Sequence, residues 1–416
     1  MNPKEIMVCK AKLFHPVDPI GNIELKIAEI CEPLKEIIKN KDRIAIAVGS
    51  RGIANIGLIT KVLADYLMQL GAVPFIVPAM GSHGGATAEG QTELLEGYGV
   101  SSEFTGVPVE SSMETEYIAD ADHLDAFPVY LDKNAYHSDG VIAVNRVKSH
   151  TDFHGVHESG IVKMLVIGLG KHKQAALMHR FGADGLRDLI PVAAKAVLAS
   201  GKIIGGLGIL EDGHDNTSDI VFASKDNFFE VDAELLKRSK RLMAKLPFQK
   251  IDSLVIDKMG KDISGSGMDT NVIGRLRIKG QPDDYPDCDI ITILDLTDAS
   301  HGNATGMGLA DITTKRLFNK IDWHATYANI ITSGFLERGF LPIVAENDLE
   351  AIDVAVNGAN HTPDTIRFAR IKSTLDLSEA YLTKPLFDQL IAENKGELLV
   401  DFRPLVFGDD GMIAAF

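Results

Sequence analysis

The chain has 416 residues and a mass of 45.1 kDa, past the size at which one hydrophobic core keeps growing, so two domains are expected. Hydrophobic residues make up 45% and charged residues 24%, the balance of a folded globular chain rather than a disordered or fibrous one. The net charge of −16, from 58 acidic against 42 basic residues with no long block of either sign, argues against a broad nucleic-acid or anionic-membrane surface, so an anionic ligand must be held locally.

Cys9, Cys31 and Cys288 are widely spaced and form no C-x-x-C pair, which points to a reducing, cytoplasmic compartment and away from a cysteine zinc site. The opening "MNPKEIMVCKAKLFHP" has no apolar signal core, and no apolar run is long enough to span a bilayer. In chain order, "RIAIAV" reads as a strand, "IANIGLITKVLADYLMQLG" as a helix closed by glycine, and "VPFIVPA" as the next strand. "TAEGQTELLEGYG" is a capped helix, "GVIAVNRV" a strand, and "DGLRDLIPVAAKAVLASG" a helix. "EVDAELLKRSKRLMAKLPF" is a charged amphipathic helix, after which an α/β pattern restarts at "IDSLVID" and continues through "CDIITILDL", "ADITTKRLFNKI", "LPIVA" and "DLEAIDVAVNG" to a last long helix around "SEAYLTKPLFDQLIAEN". Strands alternating with helices predict an α/β fold of two domains with mainly parallel sheets. The expected division is 1–228 for the first domain, 229–247 for a crossover helix, 248–385 for the second domain, and 386–416 for a C-terminal helix and tail returning toward the first.

In open α/β sheets ligands bind beyond the carboxyl ends of the strands. Three glycine-containing loops follow strands in the first half: "GSRG" (49–52), "MGSHGG" (80–85) and "VKSHTDFHG" (147–155). They bring Arg51, His83 and His150 to one sheet edge, although any single loop residue is also readable as solvated polar surface. Lys163 sits in the apolar "SGIVKMLVIGLG", where desolvation favours the free amine and covalent chemistry; the plainer reading is a lysine that snorkels to solvent. His179 in "ALMHRFG" has a ring nitrogen that can ligate a metal or simply hold a structural hydrogen bond. The spacing of His150, His154 and His157 fits no standard zinc pattern.

This ordered set resembles the nickel-dependent lactate racemases, which carry a nickel-pincer nucleotide, a pyridinium thioamide/thiocarboxylate mononucleotide holding nickel. In that family an arginine follows the first strand loop, and Arg51 matches it. A histidine in the next glycine loop serves as one acid/base, as does His83 in "GSHGG". A second begins an H-x-x-F segment ahead of "SGG-x-K", to which "HTDFHG" and "SGIVK" are similar, implying His150 as acid/base and Lys163 as the covalent attachment point. A histidine sixteen residues beyond that lysine binds nickel, and His179 stands sixteen beyond Lys163. An acidic residue often found before the arginine is Val48 here, and the additional His154 and His157 are rival positions for the second base.

The second domain carries the resemblance in "GSGMDTNVIGRLR", which keeps Asp269 and Asn271 of the family's "GG-x-x-x-D-x-N-L-Y-Q" segment, and in the glycine-histidine loop at His301. Ile273 and Gly274 replace tyrosine and glutamine, while Arg277 or Arg275 stands where a substrate-facing lysine is expected. The loss of two polar contacts and the smaller Gly274 point to a hydroxy acid longer than lactate, such as a dicarboxylate or sugar acid. The resemblance implies an isomerase that inverts C2 of a 2-hydroxy acid by hydride transfer to and from the cofactor in an interdomain cleft. Its catalytic residues would be His83, His150 and Lys163, with Arg51, Arg275 and Arg277 as carboxylate clamps, and cofactor-biosynthesis proteins as partners. Hydride removal suits this substrate because the C2 hydrogen beside a carboxylate is too weakly acidic for easy proton abstraction, so each histidine need only handle the hydroxyl proton. Two alternatives stand beside it: a metal-dependent lyase or dehydratase of sugar acids with the histidines as ligands, and a non-enzymatic ligand or cofactor carrier.

Overall fold

The computed structural model describes residues 1–50, 52–123 and 126–416 and confirms the α/β class. The chain divides into a unit of Pro16–Met243 and a second made of Met1–His15 with Ala244–Phe416.

In the Pro16–Met243 unit, "RIAIAV" forms the strand Arg43–Val48, which is buried from Ile44 onward. Continuous burial of an apolar run is what a parallel strand covered on both faces requires. It pairs in parallel with Val73–Pro78 on one side and Gly140–Arg146 on the other. Ile203–Glu211 continues the parallel set, and Thr217–Ser224 closes the five-stranded sheet antiparallel. The helix Ile56–Gln69 packs Ile59, Leu63 and Leu67 into a core shared with Ile44, Ile46, Ile76 and Ile142. Spacings of four between these residues place them on one face.

The other unit holds an eight-stranded sheet. Its parallel part runs through Lys250–Met259, Asp287–Leu296, Ile312–Thr314, Ile343–Ala345 and Phe368–Ile371, and its antiparallel edge is made by Glu379–Leu382, Met7–Leu13 and Gly396–Pro404.

Three sequence expectations change here. The opening segment, counted within 1–228, pairs as Met7–Leu13 in the sheet of the second half. The charged helix read as a crossover spans Phe228–Leu242 and lies wholly in the Pro16–Met243 unit. The expected last long helix is instead the strand Glu379–Leu382 followed by the helix Lys384–Ala392. Pro385 in the first turn of that helix explains the break, because proline lacks the N–H that a helix interior needs but suits a helix start, where that N–H has no intrahelical partner. The tail then adds the strand Gly396–Pro404 beside Met7–Leu13.

Cys9, Cys31 and Cys288 are free thiols, each pushed up to about 12 by burial and therefore unreactive near neutrality. Among the described residues no helix is long and apolar enough to cross a membrane.

Candidate active site

The three predicted loops leave the carboxyl ends of the neighbouring strands Arg43–Val48, Val73–Pro78 and Gly140–Arg146. The close approach of the first requires glycine: a Cβ on Gly49 would collide with the Asn145 amide and press on Met164. Arg51 lies outside the described residues. Ser50 Oγ lies 2.6 Å from His83 Nδ1, tying the first loop to the second. His83 follows Gly81, whose φ of 62° suits glycine and whose α-carbon faces the Ile167 carbonyl. Both loops thus abut the segment 161–168, which carries Lys163.

The third loop is closed by a pair of backbone hydrogen bonds between Lys148 and Ser159, 2.7 and 3.1 Å long. Inside it His150 is buried and stacks on Phe153 with 4.4 Å between ring centroids. Its Nδ1 accepts the Asp152 backbone N–H at 3.0 Å, and its Nε2 lies 2.5 Å from Lys163 Nζ. Lys163 ends the short helix Ile161–Lys163, which runs into a π turn at Met164–Gly168 and then into the helix Lys171–His179. Single π turns recur at functional sites because they redirect side chains without ending the helical path. His179, at the end of that helix, is partly buried, and burial together with the Lys163 charge holds its imidazole below the ordinary histidine range, partly offset by Asp152. A ring kept neutral is the form that ligates metal.

Of the three rival histidines, His150 is therefore the one against Lys163. His157 Nδ1 is turned to Asp232 Oδ2 at 2.9 Å, and His154 Nδ1 lies 3.6 Å from Glu158 Oε2. Among the described residues no group of three or more His, Cys, Asp or Glu is arranged to hold a metal ion by itself.

The floor under the His83 loop went unpredicted. Lys171 is fully buried at a φ of 55°. Its Nζ donates to the Pro78 carbonyl and, at 3.0 Å, to Gln91 Oε1, and it stands 3.2 Å from Asp132 Oδ2. Gln91 Nε2 in turn donates to the carbonyls of Gly81 and His83 at 2.9 and 3.3 Å. Burial moves both ends of the Lys171–Asp132 pair toward neutrality, lowering the lysine and raising the aspartate. A lysine directly after "GLG" gave no signal that its amine would turn inward.

In the other unit Arg275 is buried and donates to the carbonyls of Cys288, Leu309 and Asp289 as well as to Asp311 Oδ2 at 2.6 Å. That arrangement stitches a strand end to the 307–311 loop. Arg277 is the more exposed, with 34% of its side chain accessible, and reaches Asp311 Oδ1 at 2.5 Å and the Gly308 carbonyl at 3.0 Å. Asp269 caps the short helix Thr270–Ile273 and holds Asn271 through backbone and side chain. His301 lies exposed at a φ of 47°. The expectation that Gly274 opens space for a longer substrate is not met: its φ is 68°, a Cβ there would collide with the Pro286 carbonyl, and Ile273 is fully buried in the core. Backbone crowding accounts for the glycine and core packing for the isoleucine.

No family model matches the chain, and no curated protein matches it. Seven chains of known structure do. One is the lactate racemase apoprotein from Thermoanaerobacterium thermosaccharolyticum, at 12% identity and a TM-score of 0.51 over 84% of this chain and 91% of that one. At that identity the likeness is one of fold.

Proposed function

We propose that this protein is a racemase or epimerase that inverts C2 of a 2-hydroxy acid, with Lys163 as the attachment point of a nickel-pincer nucleotide and His179 as a protein ligand to its metal. The observation that carries the reading is the partly buried meeting of Lys163 Nζ with His150 Nε2 at 2.5 Å, close enough to His179 for the lysine charge to depress that histidine. A lysine for covalent attachment beside a neutral imidazole suits such a group, and a lone histidine leaves the remaining metal donors to the group itself. When bound, the cofactor supplies a reversible hydride acceptor.

The chain's own residues handle protons, charge and solvent. Because Nδ1 of His150 accepts the Asp152 N–H, the neutral ring carries its proton on Nε2, and that nitrogen is the acid that returns a proton to the substrate oxygen. His83, held at Nδ1 by Ser50, offers its own Nε2 for the opposite enantiomer. Stacking on Phe153 keeps the His150 ring in one orientation and excludes water from one face. Arg277 and Arg51 are the guanidinium groups proposed for the carboxylate, which a planar fork of donors fits.

The test is to produce the protein in a host that makes the cofactor and follow racemisation of a 2-hydroxy acid panel by chiral chromatography. Inversion of at least one member, with stoichiometric nickel, supports the reading. Turnover that eliminates water instead, with nickel absent, overturns it.

A further inference from the structure

We propose that the helix Phe228–Leu242 positions the Lys163–His150 pair, acting through Asp232 on the lysine side and Lys240 on the histidine side. The catalytic consequence rests on the racemase reading; the structural one does not.

A helix start needs acceptors for its first N–H groups. The helix that carries Lys163 starts after Gly160, which has no side chain to provide one. Asp232, seventy residues along the chain, does so: its Oδ1 accepts the Val162 N–H at 3.2 Å. Its Oδ2 accepts from His157 Nδ1 at 2.9 Å, and the whole residue is buried. Glycine at 160 completes the fit, because a Cβ there would collide with that same carboxylate. His157 thus acts as a strut that ties the histidine-rich loop to the remote cap.

Eight residues further on, a little over two turns along the helix, Lys240 Nζ reaches Glu158 Oε1 at 2.7 Å. The Glu158 side chain is fully buried. Its Oε2 accepts the His150 N–H at 2.7 Å and its Oε1 the Gly155 N–H at 3.1 Å. Burial works to raise this carboxyl, but hydrogen bonds from His154, Lys240 and the His150 N–H, together with the Lys240 charge, outweigh it and keep the carboxyl below the usual range, so it stays an acceptor. One helix therefore fixes the backbone of His150 through Glu158 and the start of the Lys163 helix through Asp232.

Neither contact is needed to hold the helix down. Phe228, Leu235 and Leu236 bury its apolar stripe, the last two against Val147 and Leu210, and Arg238 pairs with Asp219 at 2.6 Å. That separation gives the control.

The experiment compares Asp232→Ala, Asp232→Asn and Lys240→Met with Arg238→Met, using the full chain. Two readouts need no turnover: amide hydrogen exchange of peptides covering 148–164, and the rate at which an acetyl N-hydroxysuccinimide ester modifies Lys163, followed by peptide mass. Asp232→Ala is expected to speed exchange over 158–164 by about tenfold, the size of a lost cap, and to change Lys163 acetylation. Asp232→Asn retains one acceptor and falls between wild type and Asp232→Ala. Lys240→Met acts on 148–155, and Arg238→Met on neither segment. In loaded enzyme Asp232→Ala lowers kcat and leaves KM near wild type. If Asp232→Ala and Lys240→Met match Arg238→Met in both readouts, the proposal is overturned; if Asp232→Ala does not fold, a match of Asp232→Asn and Lys240→Met to Arg238→Met overturns it equally. Shifts in exchange and acetylation in a protein that racemises nothing would uphold the positioning role and remove the function built on it.

Discussion

Replacing Lys171 by methionine removes one end of an ion pair in which both side chains are fully buried. Methionine fills nearly the same volume, so packing is retained and the loss is electrostatic. Asp132 is left without its counter-charge, while Gln91 Oε1 and the Pro78 carbonyl lose a donor. Breaking a buried pair by removing one partner costs about 3–5 kcal/mol, and two orphaned acceptors at about 1 kcal/mol or more each put the expected loss at the upper end. The double variant Lys171→Met/Asp132→Asn removes the charge and keeps an oxygen for the Ala135 N–H that Asp132 caps, so it should recover most of that loss. Urea unfolding at pH 7, followed by hydrogen exchange of peptides from the Pro16–Met243 unit, reads the difference without assuming that both units unfold together.

The pH dependence has a fixed sign. The carboxyl of Asp132 already stands above its ordinary value through burial, against the opposing pull of Lys171. A raised folded-state value gives stability that is full below the unfolded value and lost as pH rises through the folded one. Without the lysine the carboxyl rises further, so Lys171→Met should lie closest to wild type near pH 4 and furthest above pH 7. A deficit under about 1 kcal/mol at pH 7, or a double variant less stable than the single one, would refute this reading of the network.

Replacing His179 by alanine should remove nickel from the loaded protein, measured by plasma mass spectrometry, while His83→Ala and His150→Ala keep metal and cofactor and lose racemisation. Arg277→Ala should raise KM about tenfold to a hundredfold with kcat little changed, as expected for loss of a charge-assisted carboxylate contact. Arg275→Ala, which takes a buried donor from three carbonyls and from one oxygen of Asp311, should instead lower the denaturation midpoint. Gly160→Ala should reproduce the exchange and acetylation changes of Asp232→Ala, because its methyl group displaces that carboxylate.

Most of the fold was legible because buried parallel strands and one-sided helices leave different apolar periods. "RIAIAV" and "IANIGLITKVLADYLMQLG" were placed to within a few residues on that basis. "EAYL" was not, since a short apolar run beside a helix looks like its first turn, and its partner, Met7–Leu13, lies at the other end of the chain. His150 and Lys163 were each visible in sequence, as the start of an H-x-x-F segment and the end of a lysine motif thirteen residues on, but their contact was not. Asp232, Glu158 and Gln91 left no such trace, because each acts through a backbone group whose position only the folded chain defines. Arg275 and Arg277 show the converse: their charge was visible in sequence, whereas Asp311, which holds both, lies more than thirty residues away.

Lys163 as the covalent anchor of the cofactor is the assignment on which the proposed chemistry depends. Peptide mass spectrometry of protein purified from a cofactor-producing host tests it directly, by locating the added nucleotide mass on the tryptic peptide containing Lys163, with Lys163→Ala as the comparison. The expected result is an adduct on that residue in the wild-type chain and an unmodified variant without racemase activity. An adduct on another residue, or equal racemisation by Lys163→Ala, would contradict it.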